Sequence, residues 1–243
     1  MKHLGFLFFA VAAYAVSMLT LTYLIAFLVD LPMVPRAIDH PASGLSAPSA
    51  ILIDLALLAV FGLQHSLMAR RSFKAAWTRI VPAVIERSGY MVFSSLALIL
   101  LFVFWQPLPD LLWDLRGTGA EYPLWAVFAL GWMVVLLSTF LINHFELFGL
   151  AQVWSHWRGA PAVEPKFHQP LFYKLVRHPL YTGFTMVFWA TPAMSQGHLL
   201  FAVGMLVYTL IAIEFEERDL VALFGADYEA YQKKVGKLAP RLR

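Results

Sequence analysis

The sequence predicts an all-α fold: a polytopic helical membrane protein with five to six membrane segments. Two observations predict this class. Hydrophobic residues make up 60% of the 243 positions and charged residues only 14%, and the mean hydropathy is +0.68. Apolar stretches also recur along the chain, several of them close to the roughly 20 residues that a helix needs to cross a bilayer.

Six apolar stretches are the candidate membrane segments. They lie near residues 4–29, 50–68, 88–105, 123–142, 180–193 and 198–213. The first stretch is too long for a secretory signal and lacks a small-residue cleavage site, so we interpret it as a membrane anchor. The last two are short and closely spaced, which predicts a helical hairpin that tilts or crosses the membrane incompletely.

Lysine and arginine are unevenly distributed between the loops. Only Arg36 and Arg116 fall in the first and third loops. The second loop, the fourth loop and the tail hold Arg70, Arg71, Lys74, Arg79, Arg87, Arg158, Lys166, Lys174, Arg177 and six more from Arg218 to Arg243. The positive-inside rule then predicts that both termini lie in the cytoplasm, provided that the final hairpin returns.

Composition also excludes several classes of site. The chain has no cysteine, which excludes disulfides, a cysteine nucleophile and a thiolate metal site. The net charge of +3 would suit nucleic acid, but the basic residues flank apolar stretches and form no base-reading module, so anionic lipid headgroups are the predicted partner. The histidine spacings match no zinc motif, and no metal is predicted. We expect a single membrane domain over 1–243, with N-terminal spans in 1–144 and a cofactor-binding region in 145–243.

The first candidate site follows the fourth apolar stretch. If the helix continues there, Asn143 and Glu146 share a face while His144 points elsewhere, so another element must supply the partner of His144. The alternative is that these residues only hydrate the helix end at the membrane interface. His65, close to the cytoplasmic end of the second stretch, is a further candidate that a packing role would also explain.

The second candidate site combines the run 177–183 with the carboxylates after the last apolar stretch. Pro179 suits the first turn of a helix, whose free amides and the charge of Arg177 could hold a cofactor carboxylate. The alternative is that Arg177 meets lipid phosphate. Glu216 and Glu217 need partners at a bilayer surface, such as cofactor hydroxyls, an ammonium group or Arg177 itself.

These motifs carry a resemblance. The run Arg-His-Pro-Leu-Tyr-Thr-Gly at 177–183, an apolar hairpin, Glu-Glu-Arg-Asp-Leu at 216–220, and the residues 224–231 with Pro240 resemble the isoprenylcysteine carboxyl methyltransferase superfamily over about the last 70 residues. The resemblance implies a cytoplasmic pocket for S-adenosylmethionine formed by the C-terminal region. Its implied cofactor-binding residues are Arg177, His178, Pro179, Tyr181, Gly183, Glu216, Glu217 and Gln152.

Upstream segments narrow the resemblance. Residues 64–70, 77–82, 86–88 and 143–154 look like those of the bacterial methanethiol S-methyltransferases. This implies in-line transfer of a methyl group from S-adenosylmethionine to a thiolate, converting methanethiol to dimethyl sulfide. For this reaction we predict His144 as the general base, Asn143 and Glu146 as residues that position His144 or the thiol, and His65 as a second catalytic candidate.

Other functions remain compatible with the sequence. A methyltransferase for another small thiol or for a prenylcysteine-like carboxylate would share the tail and differ on the substrate side. A nicotinamide-dependent reductase would need a Gly-rich dinucleotide motif, which is missing from the sequence. A non-enzymatic membrane sensor related to nitrogen-oxide-associated proteins would bind no methyl donor, so cofactor binding separates these classes.

Overall fold

The computed structural model describes residues 2–160 and 167–241 and is mostly helical, which confirms the predicted class. Lys166 and Arg243, two of the basic residues named above, lie outside this description. The helices are α1 (Lys2–Leu28), α2 (Ala47–Ala69), α3 (Arg71–Trp77), α4 (Glu86–Phe104), α5 (Glu121–Ile142), α6 (His144–Leu147), α7 (Leu150–Trp157), α8 (Pro179–Trp189), α9 (Gln196–Phe224) and α10 (Ala226–Lys234). Two short strands, β1 (Leu111–Asp114) and β2 (Ala193–Ser195), pair antiparallel.

Within the described part of the chain, five helices are long and apolar enough to cross a membrane. They are α1, α2, α4 with the turn before it, α5 and α9. A bilayer core is about 30 Å thick and a helix rises about 1.5 Å per residue, so helices of 22 residues or more span it. The chain is therefore an integral membrane protein, as predicted.

The chain folds as two compact units that interleave along the sequence. The first unit comprises 2–110, 143–160 and 196–200, and the second comprises 111–142, 167–195 and 201–241.

The first unit contains α1, α2 and α4. Helix α1 buries residues at three- and four-residue spacings, among them Ala13, Ser17 and Thr20, and this spacing defines the inward face of the helix. The Ser95 hydroxyl of α4 donates to Ser17 Oγ across 3.2 Å. Small hydroxyl residues let membrane helices approach closely and satisfy each other's polar groups.

The second unit is organised by a close crossing of α5 and α8. A Cβ atom on Gly131 would lie 2.9 Å from the carbonyl oxygen of Gly183, and one on Gly183 would lie 2.8 Å from the oxygen of Gly131. Neither backbone can yield easily, because both belong to packed helices. Gly183, predicted to bind the cofactor, therefore has a packing role at this crossing.

Replacing Gly131 with alanine is expected to destabilise the protein by about 1–3 kcal/mol, because the added methyl group pushes the backbones of α5 and α8 apart. The measurement is thermal unfolding of the purified protein in detergent. Gly5→Ala is the matched control, since it lies in apolar helix α1 and a Cβ atom there meets nothing within 4 Å. Equal melting temperatures for the two variants would contradict the crossing.

The predicted hairpin consists of a short helix, a strand and a long helix. Helix α8 has only 11 residues, about 16 Å of helix, which is half of what a span needs. It runs antiparallel to α5, since Val135 contacts Gly183 while Gly131 contacts Val187. The chain then continues through β2, which pairs with β1 directly before α5. The segment 179–195 therefore reaches from one end of α5 to the other, and the hairpin returns through α9.

Helix α9 is longer than the apolar stretch that predicted it. Its 29 residues extend about 43 Å, which exceeds the hydrocarbon thickness by roughly nine residues. The helix starts next to the loop before β1, where Gly197 N donates to Leu108 O. Its last turns, which carry Glu216 and Glu217, therefore project beyond the membrane core.

Candidate active site

Arg177 and Glu217 form a buried ion pair in the second unit. The guanidinium donates from Nε to Glu217 Oε1 at 2.6 Å and from Nη2 to Oε2 at 3.2 Å. The two residues are only 8% and 5% exposed. Charges buried to this extent are stable when each is paired and hydrogen-bonded, and removing one partner leaves the other uncompensated.

Two further side chains complete this pair. His178 Nε2 lies 2.9 Å from Glu217 Oε1, and Gln232 Nε2 donates to Glu217 Oε2 at 2.9 Å. The remaining Arg177 nitrogen, Nη1, donates to the carbonyl oxygens of Gln232 and Val235. Glu217 is thus the centre of a network that joins α8, α9 and α10.

Backbone contacts tie the tail to the start of α8. The amides of Arg177 and His178 donate to Gly236 O at 2.8 Å and Lys237 O at 3.1 Å. The Thr182 hydroxyl donates to Leu238 O at 2.9 Å. The Arg177 guanidinium, expected from the sequence to meet a cofactor carboxylate, instead binds Glu217 and carbonyl groups of the tail.

An aromatic cluster holds α10 against the end of α9. Phe167 contacts the rings of Phe224, Tyr228 and Tyr231 at centroid distances of 5.3, 5.9 and 5.5 Å. Burial raises the pKa of Tyr231 to about 12, and its hydroxyl donates to Tyr173 O. The cluster fixes the helix that supplies Gln232 to the ion pair.

Exposed polar groups lie next to this buried network. Tyr181 donates its hydroxyl to Glu216 Oε2 at 3.0 Å, and the Glu216 side chain is 45% exposed. A cavity of about 340 Å³ opens where Glu217 and Gln232 meet, and we call it the tail pocket. It is lined by Glu214, Glu217, Arg218, Val221, Ala222 and Gln232. The pocket combines carboxylates, a cation, an amide and apolar surface.

In the first unit, the chain breaks its helix at Asn143 before starting α6. Asn143 has a φ of 156° and caps α6 by accepting from Glu146 N at 3.3 Å. Its amide also donates to Glu146 Oε2 at 2.8 Å. Asn143 and Glu146 meet as expected from their spacing, but through a helix cap rather than along a continuous helix.

His144 is the buried member of this segment. It is 5% exposed, and its Nε2 lies 2.9 Å from the hydroxyl of Tyr14 on α1. The ring also contacts Phe145 and Phe148 at 5.4 and 4.8 Å. Burial among these rings lowers the pKa of His144, because the charged form loses hydration. A neutral imidazole at physiological pH is able to accept a proton.

Gln152 lies close to the same segment. Its amide Nε2 donates to Glu146 O at 2.9 Å. Its Oε1 is buried and has no hydrogen-bond partner among residues 2–160 and 167–241. Unsatisfied buried acceptors are uncommon in proteins and indicate a site that a ligand or water completes. Gln152 belongs to the first unit, whereas the other predicted cofactor residues belong to the second.

Gly149 holds the segment 143–148 in place. Its φ is 88°, and a Cβ atom there would lie 2.6 Å from both the amide nitrogen and the hydroxyl of Ser88 at the start of α4. Nearby, Arg87 Nε donates to Leu147 O at 2.7 Å. These contacts dock the loop after His144 onto α4.

Gly149→Ala is expected to destabilise the protein by more than the roughly 1 kcal/mol that a positive φ alone costs alanine. The excess comes from the clash with Ser88. Gly159→Ala separates the two effects, because Gly159 has a φ of 65° and open space around its Cβ position. Thermal unfolding of both variants measures the difference, and equal losses of stability would show that the Ser88 contact is unimportant.

His65 lies in a packed polar cluster. Its Nδ1 is 3.0 Å from Ser94 Oγ and its Nε2 is 2.7 Å from the hydroxyl of Tyr90. Arg87 lies over the Tyr90 ring at 4.7 Å. With both ring nitrogens hydrogen-bonded inside the helix bundle, His65 has the environment of a structural residue, which the sequence left open.

The comparisons with known proteins agree with the resemblance in the sequence. The chain is 48% identical to the Methanethiol S-methyltransferase of Mycobacterium tuberculosis, over 99% of this chain and 98% of the relative. It is 45% identical to the Methanethiol S-methyltransferase of Crocosphaera subtropica, over 96% and 91% of the two chains. The chain belongs to the methanethiol S-methyltransferase family.

The chain is also 30% identical to human Nurim, over 69% of this chain and 66% of Nurim. No family model matches the chain. No solved structure matches it either.

Two parts of the candidate site were not predicted from the sequence. Tyr14 is the first, and its only signal is its place beside the inward face of α1, one turn from Ser17. Gln232 and the carbonyl groups after it are the second. Backbone carbonyls leave no trace in a sequence, so the tail's part in binding Arg177 becomes visible only in the fold.

Proposed function

We propose that this protein transfers a methyl group from S-adenosylmethionine to methanethiol and releases dimethyl sulfide. The observation that carries the proposal is the identity of 48% to a Methanethiol S-methyltransferase across 99% of the chain. The proposal assigns methyl-donor binding to the tail pocket in the second unit. It assigns deprotonation of the thiol to the His144 segment in the first unit.

The tail pocket has a donor set that fits S-adenosylmethionine. The carboxylate of Glu214 suits an ammonium group or ribose hydroxyls, and Arg218 suits a carboxylate. Val221 and Ala222 offer apolar surface to an adenine ring. Arg177 and Glu217 act in this scheme as positioning residues, since their contacts hold the tail that closes the pocket. When bound, the donor supplies an electrophilic methyl group on a sulfonium.

The His144 segment provides what the acceptor needs. A thiol is a poor nucleophile until it loses its proton, and a buried neutral imidazole is suited to take it. Asn143 and Glu146 hold each other through the helix cap and fix the start of α6, on which His144 sits. The open acceptor of Gln152 offers a second polar group for the thiol proton.

The membrane location suits a small apolar substrate. Methanethiol partitions into lipid, so a site at the membrane surface receives it from the bilayer and returns a still less polar product. We place the site on the cytoplasmic face of a bacterial inner membrane. The second loop, the fourth loop and the tail hold most of the basic residues, and loops rich in lysine and arginine face the cytoplasm. The return of the hairpin through α9 supports this orientation.

The test uses purified protein in lipid nanodiscs with methyl-labelled S-adenosylmethionine. Methanethiol, ethanethiol and a prenylcysteine are supplied separately, and the label is followed into volatile and lipid products. We expect labelled dimethyl sulfide from methanethiol, and kcat/KM should be highest for this acceptor. A higher kcat/KM for the prenylcysteine would indicate that the protein is a carboxyl methyltransferase. Absence of donor binding by calorimetry would overturn the methyltransferase assignment.

A further inference from the structure

We propose that Tyr14 on α1 is a positioning residue for methyl transfer that acts through His144. The inference rests on the proposed function and adds to it a residue far away in the sequence, separated from His144 by 130 positions. Its basis is the contact of 2.9 Å between the Tyr14 hydroxyl and His144 Nε2.

The surroundings of this contact limit the movement of the imidazole. The Tyr14 ring meets the His144 ring and the Phe148 ring edge to face, each at a centroid distance of 5.7 Å. Phe148 is itself buried and packs on His144 from the next turn. The aromatic rings therefore restrict the position of the imidazole, and the hydroxyl adds a directional contact that sets its rotation.

The hydroxyl also engages one of the two ring nitrogens. In the proposed step His144 Nε2 carries a proton and donates to the Tyr14 hydroxyl, so that Nδ1 is the nitrogen that takes the thiol proton. In the proposed step, the thiol S–H bond breaks and its proton passes to an imidazole nitrogen of His144. The electron pair left on the thiol sulfur forms the new S–CH₃ bond, while the donor's bond to that methyl group breaks and its electron pair stays on the donor sulfur. The proton then leaves His144 for solvent.

The sequence of α1 supports a specific role for this hydroxyl. A phenol in a membrane helix usually lies at the interface or bonds a backbone carbonyl, as Tyr23 of the same helix does with Arg36 O at 2.7 Å. Tyr14 instead bonds a histidine side chain of a separate segment. The two tyrosines therefore form a matched pair on one helix, with similar hydrogen bonds and different partners.

The experiment compares Tyr14→Phe with Tyr23→Phe in the full-length protein. Each change removes one hydroxyl and keeps the ring. Tyr14→Phe is expected to lower kcat about tenfold to a hundredfold, the range found when the hydrogen-bond partner of a metal-ligating histidine is removed. The Kd for S-adenosylmethionine and the KM for methanethiol stay within about twofold of the wild-type values. Tyr23→Phe is expected to lower the melting temperature by a similar amount while kcat is unchanged.

A double-mutant cycle separates positioning from general damage. If Tyr14 acts through His144, then adding Tyr14→Phe to His144→Gln lowers kcat no further. An equal loss of kcat from Tyr14→Phe with and without His144 would overturn the inference, as would a wild-type kcat for Tyr14→Phe alone. Both of these results leave the proposed function standing. A wild-type protein that transfers no methyl group would instead overturn the proposed function itself.

Discussion

Glu217→Gln is expected to release the tail from α8 and to weaken binding of the methyl donor. The substitution keeps the shape of the side chain but removes the charge that pairs with Arg177, leaving a guanidinium that is 8% exposed without its counter-ion. Breaking a buried ion pair in this way costs about 3–5 kcal/mol. The hydrogen bonds from Arg177 to the backbone carbonyls of Gln232 and Val235 do not depend on this charge and should remain. The loss should concentrate in the segment that the pair holds, 225–241.

Limited proteolysis measures this release directly, because Lys233, Lys234 and Lys237 are trypsin sites within the tail. Cleavage there should be faster in Glu217→Gln than in the wild-type protein, and the Kd for S-adenosylmethionine should rise. Glu214→Gln is the control for stability, since this carboxylate is on the same helix but is 55% exposed and pairs with Lys237 at the surface. Exposed pairs contribute about 0–1 kcal/mol. The same cleavage rate in Glu217→Gln as in Glu214→Gln would contradict the structural role of the pair.

His144→Gln is expected to lower kcat by a factor of about 10² to 10⁴, the usual contribution of a general base, without changing the affinity for S-adenosylmethionine. Glutamine preserves a polar group near Tyr14 but cannot accept the thiol proton. The measurement is the rate of methyl transfer in single-turnover mixtures, combined with calorimetry of donor binding.

His156→Gln is the matched control, because His156 lies on the neighbouring helix α7, is exposed and contacts the rings of His3 and Phe6. Its kcat should stay near the wild-type value. A general base must be unprotonated, and burial lowers the pKa of His144 from its usual 6.5, so the acidic limb of the kcat profile should fall below pH 6.5. An unchanged rate for His144→Gln, or an acidic limb above pH 6.5 that this substitution leaves in place, would remove His144 from the mechanism.

The membrane helices followed from the sequence because their physical requirement is local. A spanning helix satisfies its own backbone and needs only about 20 apolar residues in succession, a property that can be counted along the chain. Helix α8 is shorter than this requirement, as its short apolar stretch predicted, but the strand β2 that follows it was not predicted. The pairing of β2 with β1 that stabilises this route joins residues about 80 positions apart and has no local signal.

The residues of the candidate site were chosen from the sequence, but most of their partners are visible only in the fold. Glu217 at a bilayer surface required a partner, and Arg177 was one of three that remained open. His144 required a partner from another element, but only the fold identifies Tyr14. The placement of Arg177 shows the limit of local reasoning: a helix N-terminus with an arginine predicts an anion site, and here the anion is a carboxylate of the protein itself.

The most direct test of the proposed activity is mass spectrometry of the headspace above wild-type protein in nanodiscs, supplied with methanethiol and S-adenosylmethionine carrying a CD₃ group. We expect dimethyl sulfide with one labelled methyl group, formed in proportion to the protein and lost in His144→Gln. Donor that binds with normal affinity while no labelled dimethyl sulfide forms would contradict methanethiol as the acceptor and the account of the site built on it.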